Sequence, residues 1–253
     1  MSDPIRKLKT YGHDLSTMAL SRIPKDIVRC GFICVNTYKS YRLNLGTGPI
    51  NDAVSMAKSL KNYFGFEVYF LHNPTSKNFL KYLDFMFQNT ADHLVFFYVG
   101  HGTSVRDTQG DEADGYDEAF VFDDGNIVDD VLIDHLIQNK REGNYITLIT
   151  DACHSGSIWD IQGGAVHGRK LPENIISVSA AADAQTSKQT MIDRLEQGVF
   201  TANLTKQLKQ KQDITPAQLK TALTKILRKY GQTCTVATTT DSLMDEPLFD
   251  LVQ

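Results

Sequence analysis

The sequence predicts an α/β fold, a three-layer sandwich with helices on both faces of a central, mostly parallel six-stranded sheet, plus a small β-hairpin. Two observations predict this class. Short apolar runs alternate with amphipathic stretches of ten or more residues, which is the order of parallel strands joined by helices. The composition, 42% hydrophobic and 22% charged over 253 residues, is also ordinary for a globular domain.

Each element follows from a local pattern in the chain. Apolar or β-branched runs predict the six strands at 30–36, 66–71, 93–99, 145–150, 175–180 and 233–239. Helical spacing of apolar residues predicts helices that begin near Asn51 or Asp52, after Asn73, and at about 130–139, 197–210 and 215–229. The hairpin is expected at 119–122 and 126–128. We expect residues 1–25 to form an extended or partly ordered leader, and residues 26–253 to form one domain.

Composition excludes several classes of protein. The chain has no run of 18 apolar residues and no signal-peptide core, so we expect no membrane contact and a cytoplasmic location. Four cysteines are too few for a disulfide scaffold, which favours a reducing compartment. The net charge of −4 does not favour a nucleic-acid partner.

Two predicted strands end in small residues that flank a histidine or a cysteine. Gly100-His101-Gly102 follows the strand at 93–99, and Asp151-Ala152-Cys153-His154-Ser155-Gly156 follows the strand at 145–150. Ligands of parallel sheets bind beyond the carboxyl ends of the strands. A thiolate is a good nucleophile, and an imidazole can activate it and later protonate a leaving amine. Although a lone buried cysteine is more often structural, this pairing favours covalent catalysis.

These two segments resemble the active-site motifs of the metacaspases, which are caspase-like cysteine peptidases. The resemblance extends from Gly31 to about Thr239, and it includes the strings 179–186 and 198–201. It implies a caspase-like fold, a monomer, and cleavage of protein or peptide substrates after Arg or Lys, often with calcium. Carried over residue by residue, it makes Cys153 the nucleophile and His101 the acid and base. It also makes the backbone N–H groups of Gly102 and Cys153 the oxyanion hole.

The resemblance places two carboxylates, Asp52 and Asp151, in the pocket that binds the substrate's basic side chain. A carboxylate pairs with a guanidinium or an ammonium group. An alternative for Asp52 is that it only caps a helix. The family usually has Ser two residues before the histidine, where this chain has Val99. We therefore expect weaker substrate affinity or a changed balance between Arg and Lys.

Acidic residues are concentrated in one segment. Eleven of the 30 acidic residues lie in 107–134, which contains no Lys or Arg. Such residues repel one another unless cations compensate, although most charged runs are simply solvated. By the resemblance, Asp117, Asp129, Asp130 and Asp160 form a calcium site that ties this segment to the loop of Cys153. We expect five other acids of this segment to be solvated on the surface: Asp111, Glu112, Asp114, Asp123 and Asp124.

The polar stretch 186–194 predicts a loop near the active site. Lys188 and Arg194 are candidate sites of self-cleavage there, although an uncut surface loop explains them equally well. The basic leader 1–25 is a candidate inhibitory segment of a zymogen. Two alternative functions stay open: a catalytically weak or inactive caspase-like binding or regulatory module, and an enzyme that joins peptides through the same nucleophile.

Overall fold

The computed structural model describes residues 3–107, 115–153, 157–166, 168–182 and 190–250, and only the backbone of 181, 182 and 190–197. Its strands are β1 His13–Asp14, β2 Ile27–Val35, β3 Glu67–His72, β4 Thr90–Val99, β5 Gly102–Arg106, β6 Tyr116–Phe122, β7 Gly125–Val128, β8 Tyr145–Asp151, β9 Ala165–Val166, β10 Arg169–Lys170, β11 Ile175–Ala182 and β12 Gln232–Thr238. Its α-helices are α1 Pro4–Tyr11, α2 Gly48–Phe64, α3 Ser76–Asn89, α4 Asp129–Asn139, α5 Thr190–Gln210 and α6 Pro216–Leu227.

The described strands build a central sheet in the order β1-β3-β2-β4-β8-β11-β12. Neighbouring strands are parallel throughout, except that β12 runs antiparallel to β11. The six predicted strands are all present, and the mostly parallel α/β sandwich is confirmed. The sheet has seven strands because β1, which is only two residues long, also pairs with β3.

Helices cover both faces of this sheet. Helices α1, α2, α5 and α6 bury their apolar residues in one core cluster, and α3 and α4 contribute to the cluster on the other face. Strands β2, β4 and β8 are buried on both faces, which explains their continuous apolar runs. No helix within the described ranges combines the length and the apolar character needed to cross a membrane.

The predicted hairpin is larger in the structure. Strands β6 and β7 pair as expected, and β5 adds a third antiparallel strand along β6. The sequence did not reveal β5 because only Val105 among its five residues is a strongly apolar strand former. Strand β5 begins at Gly102, soon after β4 ends at Val99, so this three-stranded sheet lies next to the predicted site.

The N-terminal segment, expected to be an extended or partly ordered leader, contains a helix and a short strand. Helix α1 begins after Asp3, whose side chain caps it, and packs its Leu8 into the core. Strand β1 follows, and Leu15 and Ile23 are buried on the other face of the sheet. The widely spaced apolar residues in 3–25 therefore dock this segment on the domain, whereas most of the charged residues between them are exposed.

Candidate active site

The ends of strands β4 and β8 bring His101 and Cys153 to one place. The two strands are parallel neighbours, and Val99 lies opposite Asp151 in their register. His101 and Cys153 each follow two residues later. The backbone of Gly102 lies so close to the carbonyl oxygen of Cys153 that a Cβ at position 102 would collide with it. The structure therefore juxtaposes the two predicted catalytic residues and both predicted contributors to the oxyanion hole.

Hydrogen bonds fix the orientation of the His101 ring. Its Nε2 atom lies 2.7 Å from the carbonyl oxygen of Leu43. A carbonyl oxygen only accepts, so Nε2 carries the hydrogen and Nδ1 carries the lone pair of the neutral ring. The Tyr38 ring packs against the imidazole at 4.8 Å between centroids. The sequence predicted neither Leu43 nor Tyr38 as a partner of His101. A backbone carbonyl such as that of Leu43 has no side-chain signature.

A layer of tyrosines beneath the histidine holds its peptide. The Tyr38 hydroxyl accepts a 2.6 Å hydrogen bond from the backbone N–H of His101, and the Tyr98 hydroxyl donates to the His101 carbonyl at 2.7 Å. Both hydroxyls lie so near Gly100 that a Cβ there would approach them to 2.9–3.0 Å. A glycine before the histidine therefore allows this close packing, which explains one of the two glycines in the motif.

The predicted substrate carboxylates lie beside this pair of residues. Asp151 ends β8 and is 2% exposed, and Asp52 lies on α2. Burial, and then the charge of Asp52, raise the pKa of Asp151 well above its usual value. Burial raises the pKa of Asp52 to about 7. Two neighbouring carboxylates that both resist ionisation would be stabilised in their charged forms by a nearby cation.

Thr201 is a partner of Asp151 that the sequence did not predict. It lies on helix α5, is fully buried, and donates a 2.5 Å hydrogen bond from Oγ1 to Oδ2 of Asp151. It belongs to the string 198–201 that carries part of the resemblance, but its distance of 50 residues from Asp151 hid the contact. Val99 lies near these residues, with its side chain buried in the core cluster on the α2 and α5 face.

The interpretation of Asp52 as a helix cap is wrong. Helix α2 begins at Gly48, with Thr47 as the capping residue and Pro49 in the first turn. Proline fits that turn because its fixed φ suits a helix start and its missing N–H has no partner to lose. Asp52 therefore lies a full turn inside the helix, where a capping role cannot explain it.

The four predicted calcium ligands are near one another but are not preassembled. Asp129, Asp130 and Asp160 line one small cleft beside Ser157. Burial, opposed by backbone hydrogen bonds and reinforced by the charges of Asp117 and Asp130, raises the pKa of Asp129 to about 6. Across the described ranges, no three His, Cys, Asp or Glu side chains converge closely enough to hold a metal. The carboxylates are close enough for their charges to repel one another, but their oxygens do not surround a common point.

An arginine already contacts this acidic group. Arg169 of β10 lies 3.7 Å from Asp130 and forms an ion pair with Asp134 one helical turn along α4. The pairs are partly solvated, so their contribution to stability is at most about 1 kcal/mol. Arg169 nevertheless supplies a positive charge from outside the acidic segment, and sequence reasoning did not identify it.

Two acids expected to be solvated make specific hydrogen bonds. Asp123 accepts from the backbone N–H groups of Lys39 and Ser40, at 2.9 and 3.0 Å. Asp124 accepts from the backbone N–H and the hydroxyl of Ser76, at the start of α3. Both side chains are exposed, as expected, and they make these additional contacts because the β6–β7 turn folds back onto two other segments. The other acids of this prediction, Asp111, Glu112 and Asp114, lie outside the described residues.

Comparison with known proteins agrees with the geometry. The caspase domain family matches residues 28–243. The chain belongs to the caspase domain family. It is 35% identical over 131 residues to Metacaspase-1A of Aspergillus clavatus and 39% identical over 97 residues to Metacaspase-1A of Neurospora crassa.

The matched segments make up less than a third of each of these relatives. The alignments cover 45% and 36% of this chain, and 30% and 21% of the two metacaspases, respectively. The caspase domain described here also superposes on the Drosophila initiator caspase Dronc with a TM-score of 0.58 at 14% identity, over 85% of this chain and 82% of that one. That likeness concerns the fold, which is caspase-like as predicted.

Two residues named in the sequence predictions lie outside the described residues. His154, the neighbour of Cys153 in sequence, is one such residue, and Lys188 is another. Arg194 was expected in a loop, but helix α5 begins at Thr190 and includes it. The sequence placed the start of this helix at about 197, whereas the structure begins it seven residues earlier.

Proposed function

We propose that the protein is a cysteine endopeptidase that cleaves peptide bonds after Arg or Lys, with Cys153 as the nucleophile and His101 as the acid and base. One observation carries this proposal. The two residues follow in-register ends of neighbouring parallel strands, and the hydrogen bond to Leu43 leaves the lone pair of His101 on Nδ1. This is the arrangement that a nucleophile and its general base need.

The reaction follows from these groups. The Cys153 thiol gives its proton to Nδ1 of His101, and its sulfur attacks the carbonyl carbon of the residue before the cut. Backbone N–H groups of Gly102 and Cys153 would stabilise the negative oxygen of the tetrahedral intermediate. The imidazolium then protonates the leaving amine, and a thioester remains on Cys153. Water, deprotonated by His101, hydrolyses the thioester and restores the thiol.

The preference for Arg or Lys rests on Asp52 and Asp151. A basic side chain entering this pocket would meet two carboxylates whose ionised forms are costly without a cation. Binding therefore favours the ionised carboxylates and formation of an ion pair. The side chain of Val99 offers no hydroxyl to this pocket, so the carboxylates provide the recognition.

We also propose that calcium activates the enzyme through Asp117, Asp129, Asp130 and Asp160. The donor chemistry fits, because calcium takes several carboxylate oxygens and these carboxylates repel one another in its absence. The bound ion would supply the charge that draws them together. Asp160 lies seven residues after Cys153 in sequence, so gathering this group would constrain the loop that follows the nucleophile.

The proposed setting is a monomer in the cytoplasm that acts on proteins or peptides. The four cysteines, Cys30, Cys34, Cys153 and Cys234, are all free thiols in the structure, which suits a reducing compartment. Self-cleavage at Lys188 or Arg194, as in a zymogen, stays part of the proposal. Mass spectrometry of the purified chain and its Cys153→Ala variant would identify such cuts.

The decisive experiment measures hydrolysis of peptides that end in Arg, Lys or Asp before a fluorogenic group. We expect the wild type to cleave the basic peptides and Cys153→Ala to lose this activity. Cys234→Ala is the matched control, because Cys234 lies on β12 and burial raises its pKa to about 12. Equal activity in Cys153→Ala contradicts the nucleophile, whereas an inactive wild type that still binds basic peptides indicates a binding module.

A further inference from the structure

The loop that orients His101 is a short, closed turn after β2. It runs from Thr37 to Leu45, whose backbone N–H returns to the Thr37 carbonyl at 3.1 Å. Inside it, the N–H of Leu43 bonds to the carbonyl of Ser40 at 3.1 Å. The Leu43 carbonyl at its far side is the group that accepts from His101. The position of the imidazole therefore depends on how firmly this loop is held.

Two side chains from other segments hold the loop. Asn73 accepts from the backbone N–H groups of Thr37 and Tyr38, at 2.8 and 2.9 Å, where the loop begins and Tyr38 takes a positive φ of 66°. Asp123 accepts from the next two N–H groups, one with each carboxylate oxygen. Charge-assisted hydrogen bonds of this kind are about twice as strong as neutral ones. Asp123 thus fixes the middle of the loop, three residues before Leu43.

The strand that ends at Asp123 also contacts the histidine directly. Val121 of β6 donates its N–H to the His101 carbonyl at 3.2 Å, and its own carbonyl accepts from the Tyr38 hydroxyl at 3.0 Å. The β6–β7 hairpin therefore approaches His101 from two sides. Val121 hydrogen-bonds to the backbone of His101. Asp123 hydrogen-bonds to the loop whose Leu43 carbonyl accepts from the His101 ring.

We infer that Asp123 is a positioning residue for His101, acting through the backbone of Lys39 and Ser40 and the carbonyl of Leu43. This inference rests on the proposed function of His101 as acid and base. Without Asp123, two loop N–H groups turn to water and the Leu43 carbonyl loses its fixed place. The imidazole then samples orientations in which Nδ1 no longer faces the nucleophile.

The adjacent residue offers a matched control. Asp124 lies in the same turn, carries the same charge and is also exposed, but it accepts from Ser76 at the start of α3. Replacing it removes a helix-terminal interaction and leaves the loop of Leu43 untouched. Asp124→Ala should lower the melting temperature by about 2–4 °C without altering the histidine. Asp123→Ala tests the additional contact to the loop.

The experiment compares Asp123→Ala, Asp123→Asn and Asp124→Ala with the wild type. With a basic fluorogenic peptide, we expect kcat of Asp123→Ala to fall by about tenfold at an unchanged KM, because a shift of well under 1 Å in a catalytic group suffices for that loss. Asp123→Asn keeps one acceptor oxygen and should be intermediate. Wild-type kcat in Asp123→Ala, or an equal loss in Asp124→Ala, overturns the inference.

A second measurement separates this inference from the proposed function. The rate at which iodoacetamide alkylates Cys153, followed against pH, reports the thiolate that His101 stabilises, and it needs no substrate. We expect the alkylation profile of Asp123→Ala to move toward higher pH and that of Asp124→Ala to match the wild type. A shifted profile in a protein that cleaves no basic peptide keeps the inference and rejects the specificity. Coincident profiles for all variants reject the positioning role.

Discussion

The hydroxyl of Thr201 donates a 2.5 Å hydrogen bond to Oδ2 of Asp151, so helix α5 supports the floor of the candidate substrate pocket. The backbone N–H of Thr201 also bonds to the same carboxylate and opposes the rise in its pKa. Both residues are buried. The orientation of Asp151 therefore depends on a helix that reaches the pocket from much later in the chain.

Replacing Thr201 should weaken the recognition of basic substrates. Thr201→Val keeps the shape and removes the donor, which costs about 1–3 kcal/mol when a buried acceptor is left unpaired. We expect KM for Arg and Lys peptides to rise at least several-fold, while Thr201→Ser restores most of the affinity. Steady-state kinetics on both variants check this. Equal KM values for the valine and serine variants would contradict the role of the hydroxyl.

The stability of the domain should fall as pH rises toward neutrality. The pKa of Asp52 is raised to about 7 and burial also raises the pKa of Asp151 well above its usual value, whereas an unfolded Asp titrates near 4. Folding therefore takes up protons, and this contribution is complete below about pH 4 and is lost as pH rises through 7. Urea unfolding from pH 5 to 8 measures the slope. Asp52→Asn should flatten it, and an unchanged slope would contradict the buried pair.

Removing Arg169 should strengthen calcium binding. Its guanidinium contacts Asp130 and Asp134, so calcium has to compete with a positive charge already present. Exposed ion pairs contribute at most about 1 kcal/mol, which corresponds to roughly fivefold in affinity for Arg169→Ala. Trp159, the single tryptophan of the chain, precedes Asp160 and is buried, so its fluorescence follows the titration.

The calcium titration has a structural control on the same hairpin. Lys170→Ala removes a neighbouring charge for which the structure records no contact with the aspartates, so its affinity should stay near the wild-type value. Calcium binding that is the same in Arg169→Ala and in the wild type would exclude competition. A complete lack of binding in the wild type, measured by calorimetry, would reject the calcium site itself.

A side chain at position 102 should disturb the active site. The Cβ of Gly102→Ala would collide with the carbonyl oxygen of Cys153, and backbone is costly to move. We expect activity to fall by about 100-fold or more, since a displaced nucleophile loses its alignment. Gly198→Ala is the control, because its Cβ meets nothing within 4 Å and it lies inside helix α5. An active Gly102→Ala variant would contradict the close approach.

Much of the fold was predictable because its strands are buried on both faces and carry continuous apolar runs. Strands β1 and β5 escaped prediction for the opposite reason. His13 and Asp14 form β1 through two backbone pairings at the sheet edge, and the mostly polar β5 pairs with β6 over partly exposed positions. Elements whose pairing is decided by tertiary contact leave little trace in hydrophobic periodicity.

In the candidate site, too, some residues were predictable from the sequence and others were not. His101 and Cys153 were identifiable because reactive side chains follow apolar strands between small residues. The carbonyl of Leu43 was not, since any residue can present a carbonyl, and Asp123 appeared to be one more acid in a charged run. Thr201 lacked a signal because a threonine inside a helix is usually unremarkable. These supporting contacts join segments far apart in sequence, which only the folded chain reveals.

The order of strands has a consequence for the protein during its synthesis. His101 follows β4, but Cys153 comes 52 residues later, and Thr201 on α5 comes 48 residues after that. Strand β8 also needs β11 as its second neighbour in the sheet. A chain still emerging from the ribosome, where domains fold as they are completed, therefore carries its histidine long before its nucleophile and pocket are supported. The proposed peptidase activity would therefore appear only when most of the chain has been made, which would protect unfinished copies from one another.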